Sequence, residues 1–453
     1  MTLLAIEVND AAIVVARDEE IVAAEPGCAA VTDGRLVFGD EALHTSRLRP
    51  HEVNDRYWAE LGLEALARPL LSAKTSADLV HAHLTRLWEG YAGDADGVLL
   101  VVPGSLGREQ LGLLLGIAEA CGMPVRGLVD AAAAASSCDY PGWDSIHAES
   151  RLHEIGLTRL GGSGRAVAEC YEAVSDSGFA WLRDRWARCI AAAFVAQTRF
   201  DPLSDGETEQ RFYDELPGWL TALAGSRSAV LVFDVGRAPR QIRFSRSELV
   251  GEAELVYGRV ARSVAAARHP RRGLVVRTGP VLAALPGLVE RLGGIAGVRV
   301  APLSIGAGAL GALASADEVR GEPGRLAMVT ALRWRDPAGT VSPLRAGELD
   351  GSAAQATHLL VRSVAHPIPA SGLRLRLVDG EQPFAISDRE GDDADIVVRR
   401  SEQGLVLEHS GEARLLLNGD AAPSGAELAP GDRLGVAGSS EQALLIAVID
   451  DGA

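Results

Sequence analysis

Six acids sit at or beside segments that read as buried. Glu7 closes an apolar run and Asp10 lies in the turn that follows it. Asp130 precedes an alanine run, Glu149 and Glu154 flank a hairpin turn, and Asp234 ends another apolar run. Carboxylates in such places can act as general acids or bases, or hold a cation, because burial and neighbouring charge reset their proton affinity. With no phosphate-binding loop beside them, their first role is structural. Arg151 and His153, in the same hairpin turn, are of the right type to meet a phosphate. His81 and His83 are two apart, so on a helix they face different ways and form no zinc pair; both read as surface or partly packed. No Walker A, GxSxG, HExxH, EF-hand or kinase signature occurs.

The elements that carry these residues are legible. Leu3–Val8, Ala11–Ala16 and Glu20–Ala24 read as three strands joined by hairpins, with Asn9-Asp10 as the first turn. The polar-aromatic stretch from His44 to Leu71 holds Tyr57 and Trp58, and Thr75–Tyr91 is amphipathic. Val98–Val102 is continuously apolar and stops at Pro103-Gly104, the signature of a strand covered on both faces. Gln110–Cys121 is a helix closed by Gly122, Pro124–Val129 a second strand, and Asp130–Ser137 an alanine run suited to tight packing on a sheet. Ser145–Ser150 and His153–Leu160 alternate as a hairpin that Arg165–Asp176 continues. Gly178–Arg199 is a long helix, and Ser204-Asp205-Gly206-Glu207 starts another whose stripe includes Trp219, expected as a core anchor. Strands are expected at Ala229–Asp234 and Pro239–Ser245, then a helix capped around Ser245–Leu249. A strand at Gly273–Thr278, a helix at Leu285–Leu292, a strand at Val298–Pro302 and a small-residue helix at Ser304–Ala316 complete this part.

At 453 residues the chain allows two to four domains, and 47% hydrophobic content marks it as folded. A net charge of -17 argues against nucleic-acid and anionic membrane surfaces. Five scattered cysteines without a CxxC (Cys28, Cys121, Cys138, Cys170, Cys189) fit reduced, mostly buried thiols in a cytoplasmic protein. The start of the sequence lacks a basic leader and no uncharged apolar run reaches membrane length, so neither a signal peptide nor a membrane span is expected.

The order and wording of these blocks, GVLLVVPGSLGREQLGLLLGIAEACGMPVRGLVDAAAAASS above all, resemble the actin/Hsp70/sugar-kinase ATPase superfamily. The resemblance implies an α/β, two-lobed, ribonuclease-H-like fold, with a first lobe over 1–160 and a second over 161–335. It also implies ATP with magnesium in the interlobe cleft, and it assigns places to residues. Glu7 stands where the family has the aspartate of its first phosphate turn, with Asn9 and Asp10 following where glycine and a hydroxyl belong. Glu149, Ser150, Arg151 and Leu152 replace the glycines of the second phosphate turn. Asp130 replaces the glutamate of a Glu-Pro-Thr phrase, Arg246 and Glu248 fall where the chain approaches adenosine, and Thr278-Gly279 keeps one glycine of a Gly-Gly turn. A phosphate loop needs glycine so that backbone N–H groups reach the anion, and side chains hinder that approach.

Beyond an expected linker at 336–371, residues 372–453 read as short strands between Gly, Asp and Pro turns. Asn418-Gly419-Asp420 and Leu428–Leu434 resemble the end of a forkhead-associated β-sandwich. Phe384–Asp388 lacks the Gly and Arg of that family, and no Ser-Arg-x-His phrase reads phosphothreonine. The expectation is therefore a pseudo-ATPase with no catalytic residues beyond the weak candidates Glu7, Asp130 and Glu149. Its nucleotide-binding candidates are Asn9, Asp10, Arg151, Arg246, Glu248, Thr278 and Gly279, and no metal site is expected. Such a protein acts as a scaffold or regulator of a protein partner, with a homo-oligomer as a further option. The alternatives are an atypical ATP-binding chaperone-like switch and an actin-like assembly protein.

Overall fold

The structure is a computed structural model. It describes residues 2–162, 164–174, 177–235, 238–269, 272–321, 326–335, 356–362, 364–378, 383–387, 394–401, 404–409, 415–418, 420–428, 432–439 and 441–446. The chain divides into two units, Met1–Ala265 with Val275–Val341, and Ala266–Leu274 with Ser342–Ala453.

The first unit opens with three hairpin-linked strands, β1 (Leu3–Glu7), β2 (Ile13–Arg17) and β3 (Glu20–Glu25). An appended layer follows: β4 (Ala29–Thr32), β5 (Arg35–Phe38), α1 (Gly39–Leu43), β6 (Val53–Asn54), β7 (Ala65–Leu70) and β8 (Ala73–Thr75). Helix α2 (Ser76–Tyr91) starts at a capping box in which Thr75 and Asp78 satisfy each other's backbone N–H. Then come β9 (Gly97–Val102), α3 (Arg108–Ala120), β10 (Val125–Asp130) and α4 (Ala131–Ala135). The pattern restarts with β11 (Trp143–Ser150), β12 (Ile155–Gly161) and β13 (Arg165–Val174), followed by α5 (Phe179–Thr198) and α6 (Gly206–Ala224). A separate hairpin of β14 (Ser228–Val235) and β15 (Ala238–Ser245) precedes α7 (Arg246–Ala267) and β16 (Gly273–Thr278). Short helices α8 (Pro280–Ala283) and α9 (Leu288–Gly293) lead to β17 (Val298–Pro302), α10 (Ala307–Ala314) and α11 (Ala316–Val319). Two short strands, β18 (Met328–Val329) and β19 (Ala331–Arg333), close the unit.

The two main sheets share one plan. The first runs β18-β10-β9-β1-β2-β3 and the second β17-β16-β11-β12-β13-β19. Each has an antiparallel three-stranded meander whose first strand is central, with two later strands beside that first strand. The sixth strand differs, β18 extending the crossover side of the first sheet and β19 the meander side of the second. In the first sheet β1, β9 and β10 are parallel, as crossover connections through helices require. The continuous apolar run of β9 is buried at every position because the sheet is covered on both faces. Leu4, Ile6, Val98 and Leu100 face one core, while Ala5, Val14, Val101 and Ala309 face the other.

Several expectations need correction. The helix expected over Leu285–Leu292 begins only at Leu288, after Pro286 and Gly287 (φ +85°), and the separate short helix α8 ends before the expected range. The alanine run is helical only to Ala135, where Ser136 turns its hydroxyl back to the Ala132 carbonyl, and the closing helix is shorter than its small-residue stretch. Tyr57 and Trp58 are fully buried. So is His83, which is not a surface residue. Its Nε2 lies 2.5 Å from Glu25, and its Nδ1 accepts from Tyr57 (2.7 Å) and Trp58 (3.3 Å). Of the five cysteines only Cys28 is buried, and Cys170 is exposed. Trp219 packs as expected, in a ring cluster with Phe194, Phe212 and Phe233.

The second unit contains two antiparallel sheets, one of β20 (His358–Val361), β21 (Val364–Pro367), β26 (Leu415–Leu417), β27 (Asp420–Ala421), β29 (Arg433–Val436) and β30 (Gln442–Ile446). The other holds β22 (Leu373–Leu377), β23 (Phe384–Ser387), β24 (Ile396–Ser401), β25 (Gly404–His409) and β28 (Ala426–Leu428). Leu359, Leu375, Phe384, Ile396, Leu407, Leu434 and Leu445 form a shared core between them. The segment expected as linker contributes β20 and β21, since β20 pairs with β30 and buries Leu359 and Val361. Gly419, Asp388 and residues 429–431 of the expected turns lie outside the described residues. None of the described helices is long and apolar enough to cross a membrane.

Candidate functional site

The two meanders turn toward each other. The turn after β1 holds Asn9 and Asp10, and the turn after β11 holds Arg151 to Glu154. These turns bond directly. Asp10 Oδ1 accepts the Leu152 N–H at 2.9 Å, and Arg151 Nε stands 3.4 Å from the same carboxylate. Asn9 Nδ2 donates to the Ser150 carbonyl at 3.3 Å, while its Oδ1 accepts from Ala11 N–H at 3.0 Å. Arg151, 3% exposed, also bonds the Ser105 hydroxyl and Glu154 (3.2 Å), and Glu154 accepts from Tyr171 at 2.6 Å. A buried guanidinium tolerates loss of water only with such a set of acceptors. His153 lies apart from this group, with its Nε2 2.9 Å from the Asp55 carbonyl oxygen.

Glu7, Asp130 and Glu149 lie around this bridge, whereas Asp234, the sixth acid singled out in the sequence, is exposed on the separate β14–β15 hairpin and does not join them. Glu7 lies under the start of α10, where its Oε2 accepts the Ala309 N–H at 3.0 Å. The opening N–H groups of a helix lack internal partners, so an acid there is stabilised by bond and dipole. Gly308 makes the approach feasible, since a Cβ there would stand 2.8 Å from the carboxyl carbon. Burial raises the pKa of Glu7, and the backbone bonds oppose the shift. Asp130 caps α4, accepting from Ala132 (2.9 Å) and Ala133 (3.1 Å), with its pKa also raised by burial. Glu149, 5% exposed, is pushed up to about 8. Burial is the main cause and Arg151 opposes it, while Glu7, Asp130 and Asp10 add to it. Glu149 is therefore protonated at neutral pH, which relieves a crowd of acids that one arginine does not balance.

The remaining candidates do not form a ligand cradle. The Gly279 N–H is taken by the Ala148 carbonyl at 2.7 Å, and a Cβ on Gly279 would lie 3.5 Å from Glu149 Cβ. Thr278 is buried, and its hydroxyl has no partner among the described residues. Arg246 bonds Glu290, and Glu248 accepts from Ser245 N–H at 3.0 Å, so both serve the start of α7. Among the described residues, no group of three or more His, Cys, Asp or Glu is arranged to hold a metal ion. ATP with magnesium does not fit these residues: the turns to which the resemblance assigns its phosphates are joined through Asp10, and Glu7 and Asp130 are committed to helix starts and Asp10 and Glu154 to Arg151. Sequence reasoning missed Ser105 and Tyr171 as partners in this network. Neither carries a local signal, since each reaches the site only through tertiary closure. No protein-family model and no curated protein sequence matches the chain.

Proposed function

We propose that the first unit is an actin/Hsp70-like frame whose nucleotide position has been closed by protein, and that the molecule works as a scaffold for a protein partner. Two observations support the frame. Five strands of each main sheet follow one order, and small residues sit where α10 and α4 approach most closely, a Cβ on Gly311 falling 1.9 Å from the Ala134 carbonyl oxygen. The observation that carries the loss of nucleotide is the direct bridge from Asp10 to Leu152 and Arg151. It spans the two turns between which phosphates would have to lie, and inserting an anion there would displace Arg151 and expose Asp10 to it. The second unit, with its two antiparallel sheets around one apolar core, is in this reading a forkhead-associated-like sandwich used for docking.

Titration with a fluorescent ATP analogue, beside thermal melting in millimolar magnesium-ATP, tests the reading. The expected result is no saturable signal and no rise in melting temperature. Magnesium-dependent binding together with a raised melting temperature would overturn it in favour of a nucleotide-driven switch.

A further inference from the structure

The hairpin of β14 and β15 is a two-stranded sheet whose buried side chains, Leu231, Phe233, Ile242 and Phe244, face inward, Phe233 onto rings of α5 and α6. Its other face is open: Val230 is 58% exposed and Val232 39% exposed. The two edges differ. On β15, the Gln197 amide bonds both the N–H and the C=O of Arg243, each at 3.1 Å, in the manner of a neighbouring strand. Arg243 therefore points its backbone away from β14, and so does its register partner Val230, with Ser228, Val232 and Asp234 in the same phase. On β14 the Asp234 carbonyl is covered by Arg211. Among the described residues, nothing bonds the outward backbone groups of Ser228, Val230 and Val232. An apolar edge of this kind is ordinarily blunted by charge, proline or a covering element.

Charge identifies what covers it. The chain carries -17 overall, yet residues 226–235 and 238–247 hold Arg227, Arg240, Arg243 and Arg246 against Asp234 alone. Arg246 is paired with Glu290, whereas Arg211, Arg227 and Arg243 form no ion pair among the described residues. Arg227 stands at one end of the open edge, Arg211 at the other, and Arg243 beside Val230 on the outer face. We propose that β14 accepts an extended acidic polypeptide segment as a third strand, with apolar residues against Val230 and Val232, carboxylates toward Arg227 and Arg211 at the two ends of the edge, and Arg243 adding to the positive field of the hairpin. The proposal rests on the scaffold reading and names the kind of partner that reading requires.

The test uses the full chain and a fluorescein-labelled peptide, Glu-Val-Glu-Val-Glu-Val-Glu, with a lysine-for-glutamate version as control. Binding is expected to saturate in the micromolar range at low salt and weaken as salt rises. The lysine peptide should not bind. Hydrogen exchange should slow at the Ser228, Val230 and Val232 amides and stay unchanged at Leu231. Val230→Pro removes an outward N–H that bonds nothing in the hairpin, a position where an edge strand accepts proline; affinity should fall at least tenfold. Arg227→Glu/Arg243→Glu, on the surface, should do the same and keeps the test open if the proline variant fails to fold. Equal binding of the lysine peptide, binding untouched by both variants, or no binding would overturn the proposal. So would protection of those amides in the free protein by self-association, or tighter binding of an oligothymidylate. None of these outcomes involves ATP, so this proposal and the closed nucleotide position fail separately.

Discussion

At the scale of single residues, Arg151 and Asp10 make the sharpest case. Removing one partner of a buried pair leaves the other charged and dry, at a typical cost of about 3–5 kcal/mol. Arg151→Ala should lose stability of that order in urea denaturation, and Asp10→Asn in the same chain should recover part of it. A loss below about 1 kcal/mol would mean that the bridge is solvated. Glu149 gives a pH signature. Its pKa is about 8 in the folded protein against an ordinary 4.5, so the folded state holds the extra proton between those values, and stability falls as pH rises through that window. His147 and His83, lowered by burial to about 4 and about 3, work the other way: their contribution rises with pH up to about 6.5. His153 is opposed by burial but raised overall by Asp55, so it acts in the same direction as Glu149 above 6.5. Melting of Glu149→Gln beside the parent chain isolates the effect. The variant should lose less stability from pH 6.5 to 8, and parallel curves would contradict the assignment. Of the six acids read together from the sequence, Glu7, Asp10, Asp130, Glu149 and Glu154 belong to one cluster, whereas Asp234 is exposed on the β14–β15 hairpin. The cluster's partners were not legible, since Ser105 and Tyr171 come from distant turns and strands.

At the scale of elements, the small residues of α10 are a packing requirement. Gly311→Ala would drive a methyl group into the Ala134 carbonyl, whose oxygen lies 1.9 Å from the new Cβ, so α10 must move off α4. Overpacking should cost about 2 kcal/mol or more, against the small gain from helix propensity. Gly112, exposed on α3 with open space where its Cβ would go, is the control: Gly112→Ala should add about 0.5–1 kcal/mol. Thermal or urea unfolding of both variants reads the contrast, and similar effects at the two sites would contradict the close approach. Strands and helices with strong period were readable at this scale, β9 and α2 best of all. The failures share a cause. At Pro286-Gly287 a local break interrupts an apolar pattern that looks continuous, and β20 hides in an expected linker because its worth comes from pairing with β30.

At the scale of the molecule, two six-stranded sheets that share an order over five strands dominate the first unit, and two antiparallel sheets around their own core form the second. The first meander and its crossover were legible in the sequence, because parallel strands need a helix between them, whereas the repeat of that order in the second sheet emerges only from the strand pairing. Whether the first unit takes a nucleotide was only half legible. The sequence lacks the glycines, but only the folded chain brings Asp10 against Leu152 and Arg151. Isothermal titration of the metal-stripped protein with ATP and ADP, with and without magnesium, tests this claim most directly. A closed position predicts no heat of binding at millimolar nucleotide in any of the four titrations. Saturable, magnesium-dependent heat at micromolar nucleotide would contradict it.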